Sequence, residues 1–260
     1  MRDIEKEIQY SLDMIEQKHD VRILLAVESG SRAWGFASPD SDYDVRFVFL
    51  RRMQDYLRIS PLPDVIEWRL DEVLDINGWD LMKVLKQADK GNPSVFEWTL
   101  SPIVYRTAPQ WDNIRETILA CFNSKAALNH YAGLADATRW KYLQEEQVKY
   151  KKYFYALRPL LCGLWIERYH IVPPVRFTDL LVLFDGCDEM LNERLYEAIQ
   201  ELLVKKAVTL ETDLNPQIPV IQNFIESACL RLKATAVKAN NNRQAQKDAL
   251  DAAFLKALNL

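Results

Sequence analysis

Four cysteines, Cys121, Cys162, Cys187 and Cys229, stand far apart in the chain, and no two form a C-x-x-C pair. That spacing suggests no metal-thiolate or disulfide framework, and all four fall where core residues are expected. Histidine is scarcer still: His19, His130 and His170 are isolated from one another. Neither a zinc site nor a Ser-His-Asp triad is indicated. An excess of positive charge is also missing. The formal net charge of −4 and the pI near 5.6 argue against a protein that coats nucleic acid non-specifically, while leaving room for a local basic patch. No apolar run approaches the length of a membrane span, and the opening MRDIEKEIQYSLDMIEQ carries charge throughout with no apolar signal region. The expectation is a soluble cytoplasmic protein with no membrane partner. There is no internal repeat, no low-complexity tract and no disorder signature. With 260 residues, 49% of them hydrophobic, the chain can bury the core of one large domain or two modest ones.

What is present begins with Ile4, Ile8, Leu12 and Ile15 at helical spacing. VRILLAVES, Val21 to Ser29, is a short aliphatic and β-branched run that reads as a buried strand, broken by Gly30. After a loop containing Pro39, YDVRFVFL alternates: Tyr43, Val45, Phe47 and Phe49 on one face, Asp42, Asp44, Arg46 and Val48 on the other. DVIEWRLDEVLDIN offers more strand, ending at Asn77-Gly78, and from Trp79 the periodicity turns helical. That helix stops at Gly91, and Asn92-Pro93 starts another. SPIVYRTAPQ reads as a link, and from about Trp111 the pattern is helical, interrupted at Pro173-Pro174, Pro216 and Pro219. Polar Lys238 to Asp248 sets off a last short helix. The simplest account is an α+β domain over residues 1–108, a small mixed β-sheet with flanking helices, followed by an all-helical domain over 109–260.

The stretch ESGSRAWGFASPDSDYDVRFVF, Glu28 to Phe49, carries the chemistry. A strand leading through Gly30-Ser31 into a short helix leaves backbone N–H groups pointing outward, an anion-binding corner to which the Ser31 hydroxyl adds a donor. An isolated Gly-Ser is usually no more than an N-cap. The aspartates shift the balance, because residues two apart on a strand share a face, about 6.5 Å from each other. Asp42 and Asp44 can converge on divalent ions, and oxygen-only ligands suit Mg²⁺.

A strand, Gly-Ser, helix and second strand with Asp-x-Asp resembles the nucleotidyltransferases related to DNA polymerase β. More closely, the blocks ESGSRAWGFASPDSDYDVRFVF, LDINGWDLMKVLK, KGNPSVFEWTLSPIVY and KKYFYALRPLL with PPVRF resemble the RlaP family, polymerase-β-like nucleotidyltransferases associated with RNA repair. The resemblance implies a third metal carboxylate on a neighbouring strand. Asp75 is favoured by position, with Glu67 and Asp71 as alternatives that periodicity does not exclude. It also implies two-metal transfer of a nucleoside monophosphate from a nucleoside triphosphate to a hydroxyl, with Mg²⁺ or Mn²⁺ held by Asp42, Asp44 and Asp75. Gly30 and Ser31 then hold the outgoing phosphates, and Arg32 adds a charged contact. The acceptor implied by the family is an RNA 3′ end; the acidic net charge keeps a protein or small-molecule acceptor open.

In the helical half, Lys151, Tyr155 and Arg158 share one helical face, away from Leu157, Leu160, Leu161 and Leu164, with Lys152 a close substitute for Lys151. Given the resemblance, this stripe is expected to bind the triphosphate and the nucleoside. Glu97 reads as a buried carboxylate capping a helix or paired with an arginine. Trp34, Trp68, Trp79 and Trp98 read as structural, and DGCDEM near Asp185 as a turn. Two rival readings keep the fold without the reaction: an inactive nucleotide-binding module, and an antitoxin-like partner that binds a second protein.

Overall fold

A computed structural model describes residues 3–38, 40–71, 73–186, 188–208, 213–235 and 243–259. Helix α1, Ile4–His19, starts where the Asp3 side chain accepts the Lys6 N–H and ends at Asp20, which adopts a left-handed conformation. Strand β1 is Arg22–Ser29, helix α2 Gly30–Trp34, strand β2 Tyr43–Leu50 and helix α3 Met53–Tyr56. Strands β3, Val65–Leu70, and β4, Leu74–Asp80, follow, then helices α4, Leu81–Asp89, and α5, Pro93–Thr99. Asn92 caps α5 by accepting the Ser94 N–H, with Pro93 in the first turn as its fixed φ favours. Strand β5, Val104–Thr107, and helix α6, Trp111–Ala120, come next.

The five strands make one mixed sheet in the order β3-β4-β2-β1-β5, with β2 and β4 parallel and the other pairs antiparallel. On one face Val45, Phe47 and Phe49 of β2, Leu74 and Ile76 of β4, and Ile23 and Ala26 of β1 form a core with Ile8, Leu12 and Ile15 of α1. Val48 and Leu50 are buried as well, so β2, the central strand, is covered on both sides rather than mixed on one.

Three local expectations are corrected. The strand expected over DVIEWRLDEVLDIN, with no turn assigned inside it, is the hairpin β3-β4, because Asp71 accepts the Val73 and Leu74 N–H groups and folds the chain back. Trp79 and Asp80 continue β4 instead of opening a helix, paired through Trp79 with Val65. SPIVYRTAPQ is no mere link, for it contains β5, which pairs along β1. As an edge strand with exposed ends it lacks the buried alternation that marks a strand in sequence.

Asp80 ends β4 and caps α4, accepting the Met82 N–H at 2.8 Å and the Tyr56 hydroxyl at 2.9 Å. Burial pushes its carboxyl above the usual range; the Met82 N–H, the Tyr56 hydroxyl and Arg51 oppose that push, while Asp64 adds to it. A carboxyl raised in the fold contributes stability below its unfolded pKa, and loses that contribution as pH rises through the folded value. Asparagine caps a helix about as well as aspartate. The melting temperature of the wild type relative to Asp80→Asn is therefore expected to climb as pH falls from 7 toward 4. A flat or opposite trend in thermal denaturation would refute it.

Helix α7, Ser124–Tyr142, leads to the two-residue strand β6, Gln147–Val148, and to α8, Tyr150–Tyr169. Helix α9, Phe177–Leu180, a 3₁₀ turn over Leu181–Asp185, and α10, Glu193–Val208, follow; β7, Asn215–Pro216, pairs with β6 before α11, Pro219–Ala234, and α12, Arg243–Ala257. The chain forms two compact units, Met1–Ala33 with Asp42–Phe122 and Asn241–Leu260, and Trp34–Ser41 with Asn123–Asn240. They do not follow a linear division at 108, since α12 packs on α4 and α6, and Phe254 meets Tyr56 edge-on at 5.1 Å. Cys121, Cys162 and Cys229 are buried, while Cys187 and Pro39 lie outside the described residues. No helix among the described residues is long and apolar enough to cross a membrane.

Candidate active site

Ser29 of β1 pairs with Asp44 of β2, and Asp44 pairs with Asp75 of β4. The three form one row across the sheet. Strands in a sheet lie about 4.8 Å apart and same-register side chains share a face. Asp44 and Asp75 therefore stand side by side, on the face opposite the α1 core, since their neighbours Val45, Leu74 and Ile76 point into that core. Two carboxylates held this close repel, so the fold must supply a cation.

Arg46 supplies it. Two residues beyond Asp44 on the same strand, its Nη2 donates to Asp44 Oδ1 at 3.1 Å and to Asp75 Oδ2 at 2.7 Å. Nη1 donates to the Val45 and Asp75 carbonyls at 3.1 and 3.2 Å. On its other side Asp44 closes against the turn at Gly30, where an added Cβ would stand 2.0 Å from Asp44 Oδ2. Gly30 also has φ +61°, the left-handed region that favours glycine. The Gly-Ser turn and the Asp-x-Asp strand are thus fitted to each other atom by atom.

Glu28 backs this arrangement. It is fully buried, accepts the Asp44 N–H at 2.7 Å and receives the Tyr105 hydroxyl proton. Burial pushes its carboxyl up, with the Tyr105 and Asp44 hydrogen bonds pulling it back. Burial likewise pushes the Tyr105 hydroxyl far up, reinforced by its bond to Glu28. Ser101 donates its hydroxyl to the Glu28 carbonyl at 2.6 Å, so the end of β1 is held from α5 onward. In the sequence Glu28 is marked only as a carboxylate near the end of a largely apolar strand.

The other expected residues divide. Asp42 lies just ahead of β2 and is exposed; its carbonyl accepts Arg32 Nε at 2.9 Å, and the Arg32 guanidinium lies over the Tyr43 ring at 3.7 Å. Ser31 is buried. Of the rivals for a third carboxylate, Asp71 serves the β3-β4 turn, its backbone hydrogen bonds lowering it to about 2, and Glu67 is exposed on the edge strand β3. Asp75 is the one set beside Asp44.

A profile of the RNA repair pathway DNA polymerase beta family, RlaP, matches residues 4–256. The chain belongs to this family. It is similar to the uncharacterized protein YcgL of Bacillus subtilis (strain 168), 42% identical over 227 residues, 86% of this chain and 85% of that one. Among solved structures it is similar to a nucleotidyltransferase-like protein from Exiguobacterium sibiricum 255-15, at 12% identity and a TM-score of 0.34, covering 97% of this chain and 80% of that one.

The RlaP family implies a divalent metal, and the chemistry of the Asp44–Asp75 pair fits one. Its donors are carboxylate oxygens, and a cationic group, the Arg46 guanidinium, stands bonded to both. Among the described residues no three His, Cys, Asp or Glu side chains are drawn together as a finished cage.

The α8 stripe belongs to the second unit and is not uniform. Lys151, Lys152 and Tyr155 are half-buried, with both ammonium groups near the Tyr155 ring, at 5.6 and 5.1 Å. Arg158 was expected on the polar face, yet it is only 3% exposed, donates Nε to the Val175 carbonyl and lies over the Trp34 ring at 4.6 Å. Packing of α7, α9 and α11 around α8 buries residues that a one-sided helix would expose. Glu97 is half-buried on α5.

Proposed function

We propose that this RlaP-family chain is a metal-dependent nucleotidyltransferase, moving a nucleoside monophosphate from a nucleoside triphosphate to a hydroxyl, with an RNA 3′ end as the favoured acceptor. The observation that carries the reading is the row Ser29, Asp44, Asp75, closed by Gly30 against Asp44. Membership in a family described by RNA repair supports the choice of acceptor.

Asp44 and Asp75, with Asp42, would hold Mg²⁺ or Mn²⁺. When bound, such an ion lowers the pKa of an attacking hydroxyl and offsets charge on the leaving pyrophosphate. Glu28 fixes the Asp44 backbone, so that the carboxylate needs little rearrangement to meet substrate. The Gly30-Ser31 turn receives the departing phosphates, and Arg32 places positive charge beside them.

Incubation with α-labelled nucleoside triphosphates tests the reading against both RNA and protein acceptors. Label is expected on RNA 3′ ends with the wild type, and to drop about 100-fold or more with Asp44→Ala. Nucleotide binding unchanged in the variant, with no transfer to any acceptor by either protein, refutes the enzymatic reading and favours a nucleotide-binding module.

A further inference from the structure

Arg46 sits where a metal-binding pair should be open. Its guanidinium bonds Asp44 Oδ1 and Asp75 Oδ2, and the two backbone carbonyls fix it from behind. The side chain is 19% exposed, against 31% and 27% for the two aspartates, so it fills the gap between them from within. A divalent ion bonding the same oxygens would meet a fixed positive charge within a few ångströms. The guanidinium and the ion are therefore alternatives on these oxygens.

We propose that Arg46 is a positioning residue, an internal counter-cation that keeps Asp44 and Asp75 together in the metal-free protein and is displaced from their carboxylates when a divalent ion binds. The inference rests on the reading of Asp44 and Asp75 as metal ligands. It gives the site a specific behaviour: metal binds weakly alone, and the triphosphate, whose anionic oxygens can take over the released guanidinium, strengthens metal binding. Charge balance then couples metal binding to triphosphate binding.

Titration calorimetry with Mn²⁺, on the full chain without nucleotide, tests this. Arg46→Met is expected to bind Mn²⁺ about tenfold or more tightly than the wild type, because a unit charge at this distance has been removed. Arg46→Lys, which keeps the charge, is expected to stay near the wild type. The metal-free Arg46→Met protein is also expected to melt lower and to regain more from Mn²⁺. Equal or weaker Mn²⁺ binding by Arg46→Met, with binding lost in Asp44→Asn, overturns the role of Arg46 while leaving the metal site intact. No Mn²⁺ binding by any of these proteins overturns both.

A second measurement covers an Arg46→Met chain that does not fold. In wild type labelled with ¹⁵N-arginine, the Arg46 Nε–H signal, identified by its absence from Arg46→Lys, is expected to shift on adding Mg²⁺. A signal unmoved at saturating Mg²⁺ overturns the proposal.

Discussion

Gly30→Ala will cost about 100-fold in nucleotide transfer while leaving the fold in place. Two penalties combine at this position. An alanine at φ +61° carries roughly 1–2 kcal/mol of left-handed backbone strain, which a core of this size absorbs. The larger penalty is local, because the new Cβ would stand 2.0 Å from Asp44 Oδ2 and 2.9 Å from its carboxyl carbon. Either the turn or Asp44 has to move by about an ångström, and a displacement of that size in a reacting constellation costs about 100-fold. Gly35 provides the control. It also has positive φ, +83°, yet nothing lies within 4 Å of where its Cβ would be. Gly35→Ala should lose stability by a similar amount and keep its transfer rate within a few-fold. Transfer rates and melting temperatures for both variants decide the matter. A fully active Gly30→Ala enzyme would refute the fit between the turn and Asp44.

The second large effect falls on the third carboxylate, where the sequence left Glu67, Asp71 and Asp75 in competition. Asp75→Asn will reduce transfer by about 100-fold or more, beyond the 10- to 100-fold typical of groups that only support a ligand. Its partner across the strands is Asp44, and no other residue of the three has that register. Asp71→Asn will instead act on stability. Asp71 is held at about 2 by the Val73 and Leu74 N–H groups and by Arg69. A depressed carboxyl contributes stability above its unfolded pKa and loses it as pH falls toward the folded value. Hence Asp71→Asn will melt lower than the wild type at pH 7, and the difference will shrink on acidification below about pH 4. Glu67→Gln, an exposed edge-strand change, will stay within about 0.5 kcal/mol and retain activity. A series in which Asp71→Asn or Glu67→Gln abolishes transfer, while Asp75→Asn does not, would reassign the site.

How much could be read in advance follows from which interactions are local. Helix α1, strand β1 and the Gly30 break were legible because their apolar spacing and one glycine express short-range rules. Asp44 was legible as a residue on the face of β2 opposite Val45, Phe47 and Phe49, because strand alternation is a short-range rule, whereas Asp42, two residues earlier, lies ahead of the strand. The hairpin at Asp71 was not, since a run of strand-forming residues does not say where it turns; the turn depends on one side chain reaching two backbone N–H groups. Strand β5 and the return of α12 onto α4 and α6 escaped for a related reason. A pattern shows that a face is apolar, or an edge short, but never which distant segment covers it.

By itself, then, the sequence determined the α+β class, the break after β1 at Gly30 and the family. Tertiary structure decided what stands beside Asp44. Asp75 stands beside Asp44 because β4 joins β2 in parallel, a pairing between segments thirty residues apart that no local propensity specifies. It also decided that Arg46, an ordinary alternating residue in the sequence, closes the gap between two carboxylates, because only strand register brings Asp75 within reach of its guanidinium.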